Sequence, residues 1–265
     1  MTGLDLERHF REHGTWVDWS TTTDTCKAGD LSRPVRTVAV SWKASWWAMH
    51  EAVARGADLF VSHEPIGVCA RNGSTSPDVA TALPSEQLMF DWLREIGLTV
   101  YRCHDFWDAY PGEGVRDSWV RGLDLGGRVV ADAYPYYVTE VEPLTVRQLA
   151  RQLLARLRPL GQDVVLLAGD PERVVCRIGT GTGAITDPAR MRELGADCGV
   201  IVEDFFAHVR MGSHARDLQF PMLMVSHGVA EEWAMPNLTA YLRRVFSSLT
   251  VFHIPQRCPY TAITG

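Results

Sequence analysis

The chain has 265 residues, 46% hydrophobic and 22% charged, enough apolar material for one large core or two smaller ones and too much for disorder to dominate. Its formal charge of -6 at pH 7 lacks the basic balance that phosphate neutralisation requires, so nucleic acid is not an expected partner. No apolar run approaches the roughly 20 residues of a membrane span, and Asp5, Glu7, Arg8, Arg11 and Glu12 stand where a signal peptide needs an apolar stretch; no membrane partner and a cytoplasmic protein are the expectation.

In chain order, residues 35–40 read as a strand. Ser45 is placed to cap a helix presenting Trp46, Met49 and Val53 at helical spacing, which Gly56 stops. The run Asp58-Leu-Phe-Val-Ser-His63-Glu64 is the next strand. A loop rich in Gly, Ser and Pro (71–84) leads to Ser85, which opens a helix with Leu88, Met89, Trp92, Leu93 and Ile96 on one face and Gly97 as terminator. A strand then runs to His104 within Thr99-Val-Tyr-Arg-Cys-His104-Asp105-Phe-Trp-Asp108.

Around Gly126-Gly127 the pattern restarts. Residues 129–138 read as one strand. Thr145 caps a helix with Leu149, Leu153, Leu154 and Leu157 inward, and its arginines between 147 and 158 form a solvated face. Strands at 164–167 and 174–178 are joined by the turn Gly169-Asp170-Pro171. Asp187-Pro188 is an N-cap with proline at the first helical position, Gly195 closes that helix, and 198–202 is a strand. The run Leu223-Met-Val-Ser-His227 follows. Pro236 starts a last helix with Leu238, Tyr241, Leu242 and Val245 inward, before a strand at 249–254. This is the alternation of an α/β protein: a first unit over 1–126, a second over 127–230, and a C-terminal helix and strand (231–265) returning to the first.

The six cysteines, Cys26, Cys69, Cys103, Cys176, Cys198 and Cys258, show no Cys-x-x-Cys pairing, which excludes a zinc ribbon and a thioredoxin-like motif; they are expected to be reduced and mostly buried.

Three apolar runs end in a histidine with carboxylates close behind: His63 with Glu64, His104 with Asp105 and Asp108, and His227 with Glu231 and Glu232. In open α/β sheets ligands bind beyond the carboxyl ends of the strands, so these donors could meet on a metal. The competing reading is a proton-relaying or structural polar cluster. With the first and third histidines in different halves, a site between the halves is expected.

These residues resemble the NIF-three-like dinuclear-metal proteins, some of which are labelled type 2 GTP cyclohydrolase I. The correspondence spans about residues 27–259. Gly-Ala-Asp-Leu-Phe-Val-Ser-His63-Glu-Pro answers to the family's Ala-Asp-Leu strand and His-His-Pro, and His104-x-x-x-Asp108-Ala-x-Pro-Gly to its His-Thr-x-x-Asp. Gly-Thr-Gly-Thr-Gly at 179–183 answers to its glycine-rich loop, Asp204-x-x-x-His208 to its Gly-Asp-x-x-x-His, and His227-x-x-x-Glu231 to its closing His-x-x-x-Glu. The resemblance implies two intertwined α/β units with mixed sheets, two divalent ions in a cleft between them, and a homohexamer. By position the ligands would be His63, Glu64, Asp108, His227 and Glu231, with Glu231 or Asp108 bridging and His104 and His208 beside them.

Glu64 stands where the family usually has a second histidine. Three anionic ligands against two divalent ions leave one charge for a hydroxide, and the oxygen-rich set favours iron or manganese, with zinc still possible. Alternatively Glu64 does not ligate and a single ion is held. Trp42, Trp107 and Trp233 either line a site for a planar, ring-containing small molecule or pack in the core. The loop centred on Gly181 either cradles an anion or is a tight turn. The first function implied is a metal-dependent hydrolase of a small ring-containing substrate, in which His104, His208 or Glu232 moves the proton. An iron-dependent oxidative enzyme and a non-catalytic metal-binding or regulatory scaffold are the alternatives.

Overall fold

The computed structural model describes residues 1–67, 84–183, 187–205 and 212–263. In chain order the elements are α1 (Gly3–His13), β1 (Cys26–Ala28), β2 (Thr37–Lys43), α2 (Trp46–Ala54), β3 (Leu59–Glu64), α3 (Pro84–Ile96), β4 (Thr99–Arg102), α4 (Asp105–Asp108), α5 (Val115–Leu123), β5 (Arg128–Ala133) and β6 (Tyr136–Thr145). They continue with α6 (Val146–Leu157), β7 (Leu166–Ala168), β8 (Val174–Thr180), α7 (Pro188–Glu193), β9 (Cys198–Val202), α8 (Ser213–Asp217), β10 (Met222–Val225), α9 (His227–Glu232), α10 (Ala234–Val245) and β11 (Thr250–His253). Contacts divide them into two units, Met1–Gly114 with Ala234–Gln256, and Val115–Trp233 with Arg257–Gly265.

The first unit holds a sheet in the order β1-β4-β3-β2-β11, parallel except for β1 at its edge. Its inner strands are runs of Val, Leu and Phe because parallel strands are covered on both faces. Ala39, Phe60, Val100 and Phe252 form one core cluster with Ala48 and Met49 of α2 and Met89 and Leu93 of α3. The small alanines let α2 lie close to the sheet, while Trp46 and Val53, expected inward, are exposed. In α3 the buried stripe is Met89, Phe90 and Leu93; Leu88, expected inward, is 66% exposed. The register, Ser41 beside Ser62 and Ser62 beside Arg102, aligns the carboxyl ends of β2, β3 and β4. That alignment brings Trp42, His63 and Cys103 to one level on one face.

The second unit holds a sheet in the order β5-β6-β8-β9-β10-β7, with β8, β9 and β10 parallel and the other pairings antiparallel. The single strand expected over 129–138 is a hairpin, β5 and β6, because Pro135 has no N–H to donate and ends the first strand. The turn at 169–171 connects β7 and β8 without pairing them: β7 crosses to the far edge beside β10. Thr145 and Gln148 form a capping box at the start of α6, which packs Leu149, Leu153 and Leu157 with Val175, Ile178, Val200 and Leu223. Asp187 caps α7 by accepting the Ala189 N–H at 2.8 Å.

Five cysteines are free among the described residues, and of these only Cys103 and Cys198 are buried; Cys26, Cys176 and Cys258 are half-buried, so "mostly buried" is corrected. Cys69 lies outside the described residues. Among the described residues no helix is long and apolar enough to cross a membrane.

Candidate functional site

Each unit carries a set of histidine and carboxylate donors. In the first, His63 is fully buried near the end of β3, and its Nδ1 donates to the Cys103 carbonyl, 3.2 Å away. A carbonyl only accepts, so this bond fixes the tautomer and presents the Nε2 lone pair, as in many metal-binding histidines. Asp108 Oδ1 lies 3.4 Å from that Nε2. Two acceptors at such a distance repel unless a proton or a cation lies between them. The His104 ring stacks on that of His63 at 4.6 Å and 17°. Its Nδ1 donates to Asp105 Oδ1 at 2.8 Å and lies 3.6 Å from Asp108 Oδ2, while its Nε2 is 3.9 Å from Glu64 Oε1.

One donor atom each from His63, His104 and Asp108 lies within 4.8 Å of the others, a grouping that could hold a metal ion. His104 thus stands in the donor group itself, whereas the resemblance put it beside the ligands. Burial pushes the His104 imidazole down, but the Asp108 charge and the Asp105 hydrogen bond outweigh it and leave the group above its ordinary value. The bond to His104 in turn holds the Asp105 carboxyl well below the usual carboxylate range.

Two residues that the sequence did not single out support this set. Asp24, fully buried, accepts three backbone N–H groups at the start of α4: His104 at 2.7 Å and Asp105 at 2.9 Å on Oδ1, and Phe106 at 2.8 Å on Oδ2. It thereby anchors the turn that carries both His104 and Asp108. Burial pushes its carboxyl up against the pull of those three donors. Arg102, at the end of β4, donates from Nε to the His63 carbonyl at 3.0 Å and from Nη2 to Glu64 Oε2 at 3.2 Å.

In the second unit His227 opens α9, with its backbone N–H on Glu203 Oε2 at 2.6 Å. Its Nδ1 hydrogen-bonds the Asp204 carboxylate, and its Nε2 meets Glu231 Oε1 at 2.9 Å one helical turn later. With a carboxylate on each ring nitrogen, the Nε2–Glu231 contact is satisfied when a proton or a cation lies between them. Glu231 and Glu232 are both buried. Glu203 is pushed up by its burial and accepts the Tyr260 hydroxyl at 3.2 Å. Asp204 and His227 both appear in the sequence motifs, but their pairing is visible only in the fold.

The glycine-rich loop ends beside this pair, at Gly183. A Cβ on Gly181 would come within 3.1 Å of Tyr136, so a side chain there would press on that ring. A Cβ on Gly183, whose φ is +70°, would lie 3.8 Å from Glu231 Oε1 and 4.0 Å from His227 Nε2. There is room for a methyl group but the backbone is left-handed, so Gly183→Ala is expected to cost about 1–2 kcal/mol of stability. Thermal melting checks this; a melting temperature within error of wild type would contradict it.

Of the three indoles, Trp107 is fully buried, donates to the Ala234 carbonyl at 2.9 Å and stacks on Tyr110, so its packing reading holds and it has no surface to offer a substrate. Trp233 lies on Trp119 and over Gly122, where a Cβ would come within 2.2 Å of the indole; it too packs on a core. Trp42 is half-buried and stands beside His63 in register. His208 lies outside the described residues.

Fold and donor sets together define an α/β protein of two mixed-sheet units, the first bearing imidazole and carboxylate groups that could hold a metal ion and the second a paired histidine and glutamate. The chain belongs to the Duf34/NIF3 (NGG1p interacting factor 3) family, whose model matches residues 19–259. Its fold is similar to that of the Bacillus cereus protein related to NIF3, with a TM-score of 0.80 at 13% identity over 99% of each chain. It is likewise similar to protein ybgI, described as of unknown function, at 0.78 and 22% identity over 98% of this chain and 100% of that one. Reduced HcgD from Methanocaldococcus jannaschii gives 0.64 at 13% identity over 96% of this chain and 97% of that one. No curated protein matches the sequence.

Proposed function

We propose that this chain is a metal-dependent hydrolase of a small, ring-containing substrate, with iron or manganese the favoured ions and zinc a third candidate. The observation that carries the reading is the approach of the His63 Nε2 lone pair to Asp108 Oδ1, 3.4 Å apart, with the tautomer fixed from behind by the Cys103 carbonyl. The donor chemistry fits a divalent ion: neutral imidazole and carboxylate are its ordinary ligands, and both histidines have their other ring nitrogen engaged, His63 by a carbonyl and His104 by Asp105. His63, Asp108 and Glu64 would hold an ion in the first unit, with His104 beside it, and His227 and Glu231 would hold one in the second. When bound, such an ion supplies Lewis acidity and lowers the pKa of a coordinated water toward about 7.

The chain's own groups do the rest. Asp105 holds the His104 ring in place at Nδ1 and keeps a proton there, leaving Nε2, which faces Glu64, to exchange a proton with substrate. Glu232, buried on α9, is the corresponding group in the second unit. Trp42, beside His63, offers the face on which a planar ring would lie.

Elemental analysis of anaerobically purified protein tests the first step, with about two equivalents of metal per chain expected. Chelation followed by return of iron or manganese should abolish and restore turnover of small cyclic amides and amidines. Protein purified without metal, and unable to take it up, would remove the proposal. Loaded protein inert toward such substrates would leave a metal-binding scaffold in its place.

A further inference from the structure

A glutamate is a flexible ligand. Three rotatable bonds separate its carboxylate from the backbone, and a site that depends on it needs a second group to fix it. Glu64, at the end of β3, has that group in Arg102. The register pairs Ser62 with Arg102, so Arg102 and Glu64 project from the same face of neighbouring strands one step apart. The guanidinium is 4% exposed and the carboxylate 13%, so their attraction is weakly screened.

The bonding is divided between the two carboxylate oxygens. Arg102 Nη2 occupies Oε2 at 3.2 Å, while Oε1 turns to His104 Nε2 at 3.9 Å, and donor atoms of His63 and Glu64 lie within 4.8 Å of one another. Arg102 is itself fixed by its Nε bond to the His63 carbonyl, which ties the guanidinium to the histidine as well as to the glutamate. Its Nη1 is buried and, among the described residues, meets no hydrogen-bond partner.

Resting on the metal reading above, we propose that Arg102 is the positioning residue of the first donor set. It holds one oxygen of Glu64 so that the other is presented to the ion as a single-oxygen donor, and its charge offsets the one Glu64 brings. A planar fork anchored at Nε does this; the point charge of a lysine does not.

The test is manganese(II) affinity, by competition with a chromophoric chelator, together with the melting temperature of the metal-stripped protein. Wild type, Arg102→Lys, Arg102→Met, Glu64→Gln and the double variant Glu64→Gln/Arg102→Met are compared. Both Arg102 variants are expected to bind about 10–100-fold more weakly, the range for partners that orient a ligand. The double variant should bind no more weakly than Glu64→Gln, because Arg102 acts through Glu64. Affinity at or above the wild-type value in the Arg102 variants overturns the proposal, as do additive losses in the double variant. A lowered melting temperature with unchanged affinity marks Arg102 as structural and also overturns it. If Arg102→Met does not fold, Arg102→Lys, which keeps the buried charge, decides. Wild-type protein that binds no manganese fails the metal reading itself, a result distinct from any of these.

Discussion

Asp108→Asn is expected to weaken metal binding more than roughly 100-fold while raising the melting temperature of the metal-stripped protein, because orienting partners alone change affinity by 10–100-fold and a ligand counts for more. Asp108 is the residue both histidines share: Oδ1 stands 3.4 Å from His63 Nε2 and Oδ2 3.6 Å from His104 Nδ1. Without an ion, the Oδ1 approach sets a carboxylate oxygen against a lone pair. Asparagine has the same shape, and its amide nitrogen can turn to that lone pair and donate. The repulsion becomes a hydrogen bond of about 1 kcal/mol, at the cost of an anionic ligand. Stability and metal affinity therefore move in opposite directions, which general damage to the fold would not produce. Metal content by elemental analysis and melting of the stripped protein measure the two effects. An unchanged metal content, or a variant less stable than wild type when stripped, would contradict the assignment of Asp108.

What the sequence revealed of this site follows from where each signal resides. The strand bearing His63 and the one that leads to His104 are legible because buried parallel strands must be runs of Val, Leu, Phe and Tyr, and the polar residues that end them mark the carboxyl edge of the sheet. β9 matches its expected span because Gly195 bounds it before and a polar stretch bounds it after. Asp24 left no such trace. It lies in a threonine-rich stretch without periodicity, and its partners are about eighty residues away, so only folding makes it an anchor. Arg102 was hidden differently, as one polar residue inside an apolar strand, its role set by the neighbouring strand. The indoles show the reverse error: Trp107 lies inside a motif of candidate ligands, yet on the short helix α4 it turns into the aromatic core while Asp108, the next residue, faces His63. Residues adjacent on a helix differ by about 100° in direction, so motif membership fixes position along the chain but not orientation.

Asp24→Ala is expected to cost about 3–5 kcal/mol, because it removes the acceptor of three backbone N–H groups and each one left buried without a partner costs about 1–3 kcal/mol. At about 2–4 °C per kcal/mol for chains of this size, the melting temperature should fall by roughly 6–20 °C. Asp24→Asn separates the two contributions. Burial already pushes the Asp24 carboxyl up, so removing its charge is not in itself a large loss. The amide keeps one oxygen for His104 and Asp105, but its nitrogen faces the Phe106 N–H as donor against donor, so a loss of about one such bond, 1–3 kcal/mol, is expected. Because the anchored turn carries His104 and Asp108, Asp24→Ala should also lower metal affinity by at least about tenfold, the lower bound for a group that orients ligands. Melting of the stripped variants and manganese titration of the surviving folded fraction check both effects. A melting temperature for Asp24→Ala within a degree or so of wild type would mean that α4 is held by something other than this carboxylate, since on this scale that shift corresponds to less than about 0.5 kcal/mol.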